Sequence, residues 1–301
     1  MGTVFERRSS VPTPLVQFNL KPNTKPAASR KFLRTADGDT PFIEQPIRMV
    51  SCDTPEKAGY AGGPAVAQKK LDTCRARLTG LFYSGIAQEL RAYLIARLTP
   101  DAATNHIEAG YKASAVFDSL LDTRLTKPGG GRRSVGVIPT GEVVDRYGRM
   151  LAYLTPWYAG GKSDPVPKDR KDPRRRTFNL DMIANGWAAF FPIYLSLPGD
   201  DDMNMAIAEA ETAWKDKKGI WKNYGRKVLL AYEYRMCIKL AIAPSAAAGI
   251  KDAFQRECVD LRSLKIVGRQ GFWAVPPPYR LWIWKDDLKA AKAVLKLVDP
   301  D

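Results

Sequence analysis

The feature that most limits this chain is a hydrophobic period that changes twice. Ile47, Met49 and Ser51 alternate with Arg48 and Val50, the two-residue repeat of a strand. From Leu78 through Leu81, Ile86, Leu90, Leu94 and Leu98 the spacing turns helical, which fits a helix or a helix pair. Ala115, Val116, Leu120 and Leu121 then share one face of a second amphipathic helix over 112–125, closed by Pro128 and three glycines. Val135, Val137 and Val143, followed by Met150 to Leu154 beyond the Tyr147-Gly148 turn, return to paired strands. The chain therefore reads as strands, then helices, then strands again.

The remaining segments follow from their punctuation. Residues 1–34 carry Arg7, Arg8, Lys21, Lys25, Arg30, Lys31 and Arg34 against Glu6 and read as an irregular basic arm. Over 32–52 the pattern is strand, Asp-Gly turn, strand. The run Lys162 to Arg176, with seven basic and three acidic residues, reads as a solvated loop whose excess charge also suits a phosphate backbone. Helices closed by Gly186 and Gly219 are expected over 179–187 and 205–218. Residues 222–301 change texture: an Ala-rich amphipathic stretch, a triple-proline break at 276–278, an aromatic strand at Leu281 to Trp284 and a helix from Asp286. They read as a separate small module, its aromatic residues open to three uses: core, nucleic-acid platform or exposed edge strand.

A chain of 301 residues exceeds one ordinary core, so one domain with attachments is expected, and 45% hydrophobic residues exclude wholesale disorder. The excess of 47 Lys and Arg over 32 Asp and Glu, +15, draws polyanions, nucleic acid first among them. No run of apolar residues is long enough to span a membrane, and the N-terminus lacks the apolar stretch of a secretory signal; a cytoplasmic or an already processed secreted form is expected. Cys52, Cys74, Cys237 and Cys258 form no CxxC pair; free thiols are the simplest reading, with disulfides the alternative. The single His106 is read as a surface loop residue.

Three short motifs carry chemistry, and each also has an ordinary explanation. Asp37-Gly38-Asp39-Thr40 is a hairpin turn that also aims a hard oxygen, Asp39, at a divalent cation. Arg48 precedes Asp53-Thr54-Pro55-Glu56 by five residues. The carboxylates are spaced like a helix N-cap, or they set a guanidinium fork, a metal ligand and a general base around one phosphate. Asp145-Arg146-Tyr147-Gly148-Arg149 is a tight turn opening on a strand arginine.

Taken in order, these motifs resemble the staphylococcal nuclease (thermonuclease) family from about Thr35 to Trp221. The likeness continues through Tyr111, Ala113 to Phe117, Leu151-Ala152-Tyr153, Asn179, Gly186, Ala208-Glu209-Ala210 and Gly219-Ile220-Trp221. The resemblance implies an α+β fold: a five-stranded OB-type β-barrel with flanking helices over 35–221, a helical insertion over 57–110 and a small C-terminal α/β module over 222–301. It implies a Ca²⁺-dependent endonuclease, with Mg²⁺ a poorer fit, hydrolysing DNA and RNA, single strands foremost. Asp39, Asp53 and the Thr54 carbonyl match its metal ligands, Glu56 the carboxylate that directs water, and Arg48 and Arg149 the phosphate arginines. Tyr147 and Tyr194 match in part positions that contact the nucleotide. One histidine excludes the nucleases that work through a histidine pair. The likeness frays where only nine positions separate Asp39 from Arg48, with Pro41 and Pro46 between them, and where the insertion follows Glu56. A relative that keeps the barrel and binds nucleic acid without cutting it is the competing expectation.

Overall fold

The computed structural model describes residues 29–300 except 146, 170 and 171, with backbone alone at 141–143. Most of the basic arm and Arg146 thus lie outside the described residues. The chain divides into two compact units, one of Met1–Pro46 with Val144–Arg149, the other of Ile47–Val143 with Met150–Asp301.

In the first unit the expected hairpin is present. Strand β1 (Phe32–Thr35) pairs antiparallel with β2 (Pro41–Ile43) across the Asp37–Thr40 turn. Pro41 opens its strand, where a missing N–H costs least. Both strands are exposed throughout, and the Arg34 guanidinium lies 3.7 Å over the Phe42 ring.

The second unit builds three sheets. Strand β3 (Ile47–Met49) runs parallel to β6 (Met150–Pro156), which also neighbours β5 (Val135–Val144). Strand β4 (Ser51–Asp53) pairs antiparallel with β7 (Ala189–Phe191). Strands β8 (Ile193–Tyr194), β9 (Arg256–Asp260), β10 (Lys265–Ile266) and β11 (Arg280–Trp284) form a sheet in the order β10-β9-β11-β8, parallel only at β11-β8. These are open sheets, and the described strands do not show the closed five-stranded barrel that the resemblance implied. The local reason lies between β3 and β4, which are nearly continuous in sequence but pair with different partners. Ser51 stands at the switch in a left-handed conformation, φ 58°, a geometry that side chains other than glycine adopt at a cost. Its hydroxyl is 2.7 Å from that of Tyr153.

Helices α1 (Pro64–Thr79), α2 (Gln88–Ile95) and α3 (Ala102–Leu125) fill the region between β4 and β5. Pro64 at the first helical position of α1, after Gly63, suits a residue that has no N–H to leave unpaired. Next come α4 (Phe178–Ala184), capped by the Thr177 side chain, and α5 (Asp200–Lys215), with three aspartates in its first turn where the helix dipole favours anions. The chain ends with α6 (Gly219–Tyr224), α7 (Ala231–Ile242), α8 (Ala246–Ala253) and α9 (Leu288–Leu295). Gly186 and Gly219, at φ 71° and 51°, touch backbone to backbone; a Cβ on Gly219 would come 2.3 Å from the Gly186 carbonyl. Among the described residues no helix is long and apolar enough to cross a membrane.

The packing joins what the sequence reading kept apart. One buried cluster takes Leu71, Cys74 and Leu78 from α1, Leu90 and Leu94 from α2, and Tyr234, Cys237 and Leu240 from α7, together with Phe272 and Trp282. Helix α7 is thus the core partner of the inserted helices, and β11 adds to β8. Strand β11 is an inner strand with Trp282 buried, so of the three uses open to the aromatic run, core is the one observed. A second cluster of Cys52, Ala113, Met182, Ile183, Ala188, Phe190, Ala206 and Ala210 lies between β4, β7 and helices α3, α4 and α5. Asn179, fully buried, ties this side together: its amide donates to Val50 O at 2.8 Å, and its Oδ1 accepts from Leu154 N. The four cysteines are buried and free.

Candidate active site

Strand β4 ends on Asp53, and the chain turns through Thr54 and Pro55 to Glu56. Asp53 is buried, 1% exposed, yet carries a charge. Its Oδ1 accepts from Arg48 Nη2 at 2.9 Å and from Arg235 Nη1 at 3.2 Å, and its Oδ2 from Arg235 Nη2 at 2.7 Å. Burial alone would raise this carboxyl, but Arg235 and then Arg48 outweigh it and hold it below the usual carboxylate range. Arg235 Nη1 also donates to Glu56 Oε1 at 2.7 Å. Burial opposes the charge on Arg235 as well, and the two carboxylates more than restore it.

The turn is fixed from below by α3. The Glu56 N–H donates to His106 Nε2 at 2.9 Å, and the other ring nitrogen, Nδ1, is 3.0 Å from Leu229 O. A ring that accepts at Nε2 is neutral with its proton on Nδ1, which then donates to Leu229 O. His106 is fully buried and stacks on Tyr234 with ring centroids 3.9 Å apart. Burial is the main cause that pushes its pKa down to about 3. This corrects the expectation of a surface loop histidine: α3 begins ten residues earlier than the helix read from 112–125 and carries His106 inward. Gly110, one turn on, lets the two segments meet, since a Cβ there would lie 2.6 Å from Glu56 O.

What remains at the surface is small and defined. Glu56 is 27% exposed at its side chain; among the described residues only its Oε1 is hydrogen-bonded, leaving Oε2 as an acceptor. Arg48, 33% exposed, donates from Nη2 to Asp53, and among the described residues its other donors carry no hydrogen bond. Thr54 is half-buried beside them. A carboxylate acceptor and a guanidinium donor at one turn suit a water and a phosphate oxygen.

The other anticipated residues divide. In the first unit Asp39 is exposed on the hairpin turn and accepts from the Thr40 hydroxyl at 3.1 Å. Arg149 folds back on its own turn: Asp145 Oδ2 accepts from its Nε at 2.8 Å, while Oδ1 accepts from the N–H groups of Tyr147 and Arg149. Gly148, at φ 74°, makes that turn, and its carbonyl accepts from Gln45 Nε2 at 2.9 Å. The Arg149 guanidinium lies 5.3 Å from the exposed Tyr147 ring. Tyr194 is buried in β8 in a cluster with Val259, Leu281 and Ile283, where a nucleotide contact would need it exposed.

A Ca²⁺ ion is what the resemblance asks of Asp53, and the donor set does not fit one. Both carboxylate oxygens already meet guanidinium groups, and a cation in their place would sit against Arg235. Among the described residues no group of three or more His, Cys, Asp or Glu side chains comes together to hold a metal ion.

Sequence reasoning missed Arg235, His106 and Gly110. Arg235 had a usable signal, a charge inside the apolar stretch Val228 to Ile242, because a buried arginine must find an anion. Nothing in the sequence named that anion.

Residues 108–223 match the family model described as staphylococcal nuclease homologue. The match includes Arg149, Asn179, Gly186 and Trp221 and begins after Asp39, Arg48, Asp53, Thr54 and Glu56. No curated protein matches the chain.

Proposed function

From this staphylococcal nuclease homologue segment, which points to a nuclease-type or nucleic-acid-binding role, we propose that the chain hydrolyses phosphodiester bonds of nucleic acid. The observation that supports this is Glu56 itself: a partly exposed carboxylate, fixed through its backbone by His106 and through one oxygen by Arg235, with its second oxygen carrying no hydrogen bond among the described residues, while Arg48 and Arg235 share the neighbouring Asp53. In this reading Oε2 accepts a proton from water as the water oxygen bonds to phosphorus. Arg48 donates to the phosphoryl oxygens whose charge grows, and the ester oxygen leaves, taking a proton from solvent. The resemblance also implies Arg149 as a phosphate arginine and Tyr147 as a nucleotide contact. DNA and RNA are both substrates in this reading, single strands preferred.

Glu56→Gln keeps the size of the side chain and a hydrogen-bonding oxygen while removing the base. Hydrolysis of a labelled single-stranded oligonucleotide should fall by about 10² or more in that variant. Wild-type rates in the variant sink the assignment. A binding role without cleavage is the second reading, favoured by the ion pairs that engage both carboxylates; retention of the oligonucleotide uncut by the wild type would select it.

A further inference from the structure

Helix α7 brings Arg235 to the turn from 179 residues beyond Glu56, and every polar contact it makes there is to the two carboxylates of that turn. Its guanidinium bridges them, with Nη2 on Asp53 and Nη1 shared between Asp53 and Glu56, at 2.7 Å to each carboxylate. Two unit negative charges are drawn to one site by one cation with fixed, planar donors. Helix α7 is itself locked in place. Buried Glu233, two residues before Arg235, accepts from Leu230 N at 3.1 Å, from Tyr93 OH at 2.6 Å and from Arg280 Nη1 at 3.2 Å, and Arg280 Nε donates to Val275 O. The bridging arginine is therefore part of the fold and not a surface side chain that happened to reach the turn.

We propose that Arg235 is the resident cation of the Asp53–Glu56 pair, holding the place that a divalent ion would take, so that the turn engages nucleic-acid phosphate without a metal. With Arg235 present, the pair and its two arginines form a balanced cluster of two carboxylates and two guanidiniums. A phosphate then meets the remaining donors of Arg48 instead of an electropositive ion. The proposal deepens the hydrolase reading and rests on it for the nature of the ligand. The charge assignment can be tested on the protein alone.

The test has two arms on the full chain. In the first, Ca²⁺ is titrated into the wild type, Arg235→Gln, Arg235→Lys and Asp53→Asn, followed by calorimetry and by the shift in Tm. The wild type and Arg235→Lys should show no saturable binding and no shift. Arg235→Gln, with Glu56 released and Asp53 left to Arg48 alone, should gain binding and a Ca²⁺-dependent rise in Tm of about 2–4 °C. If Arg235→Gln does not fold, the wild type and the lysine variant still decide. Saturable Ca²⁺ binding by the wild type that Asp53→Asn abolishes overturns the proposal. In the second arm, binding and cleavage of a single-stranded oligonucleotide are measured in Ca²⁺ and in chelator at matched ionic strength. Equal values support it, and loss of both in chelator overturns it. An oligonucleotide neither bound nor cut in any condition defeats the hydrolase reading, while the first arm still judges Arg235.

Discussion

Two turns of this chain whose aspartates hold arginine side chains, one turn in each unit, are built in different ways. The Asp145–Arg149 turn closes mainly on itself: its aspartate holds the arginine four residues on, and a glycine supplies the left-handed step, with Gln45 and Arg30 adding donors to the Gly148 carbonyl. The Asp53–Glu56 turn takes one partner, Arg48, from nearby in the sequence and the rest from far away. Its carboxylates, its backbone and its packing depend on His106, Gly110 and Arg235, residues 50 to 182 positions away. The first is a local motif that any competent hairpin could display. The second exists only when the inserted helices and α7 have folded around it.

That contrast is broken most forcefully at Arg235. Arg235→Ala leaves the buried Asp53 with one partly exposed partner and should cost about 3–5 kcal/mol, read from urea unfolding. A loss under 1 kcal/mol would place Asp53 closer to water than the fold indicates.

Acid should find the same turn through His106. Its pKa is about 3 in the fold against an ordinary 6.5, so the unfolded chain binds the proton more readily. The stability that this neutral ring contributes is present in full above 6.5 and is lost as pH falls toward 3, by up to about 1.4 kcal/mol per pH unit. His106→Gln should be less stable at neutral pH and show a flatter decline over the upper part of that interval, before most carboxylates titrate. An unchanged profile removes the histidine from the account.

Gly110→Ala sharpens the comparison further, since its methyl group would press on Glu56 O and Pro55 O. Loss of about 1–3 kcal/mol is expected, with oligonucleotide cleavage falling more than the folded fraction does. The smallest effect belongs to the local turn. Asp145→Ala breaks an ion pair whose arginine is 37% exposed, and should change stability by under about 1 kcal/mol.

The same division explains what the sequence could be made to say. The Asp-Gly hairpin, the presence of helices at 178–184 and 200–215 and the Arg149 turn are written in residues a few positions apart, and each was legible, although α5 ends at Lys215 and Gly219 opens α6 instead of closing α5. Arg48, Asp53 and Glu56 were legible as a motif, because five and three residues of spacing carry them. Their surroundings were not. The helical repeat through Leu98 shows that helices form but not that α1 packs against α7, and the lone histidine gives no sign of the N–H it accepts from. Residues 222–301 looked separate because their composition changes; composition does not register that β11 adds to β8 or that Arg235 reaches Asp53. Contacts between distant segments are set by shape and by the matching of charges once both are buried, and a single sequence shows only one side of each match.

Helix α7 makes the electrical balance of the turn a property of the chain's far end. A protease clip or an engineered stop after Tyr224 would keep everything in the family match, Arg149 included, yet strip Asp53 and Glu56 of their shared counter-charge. A chain shortened in this way would keep the whole matched segment and leave the buried turn without the cation that neutralises it.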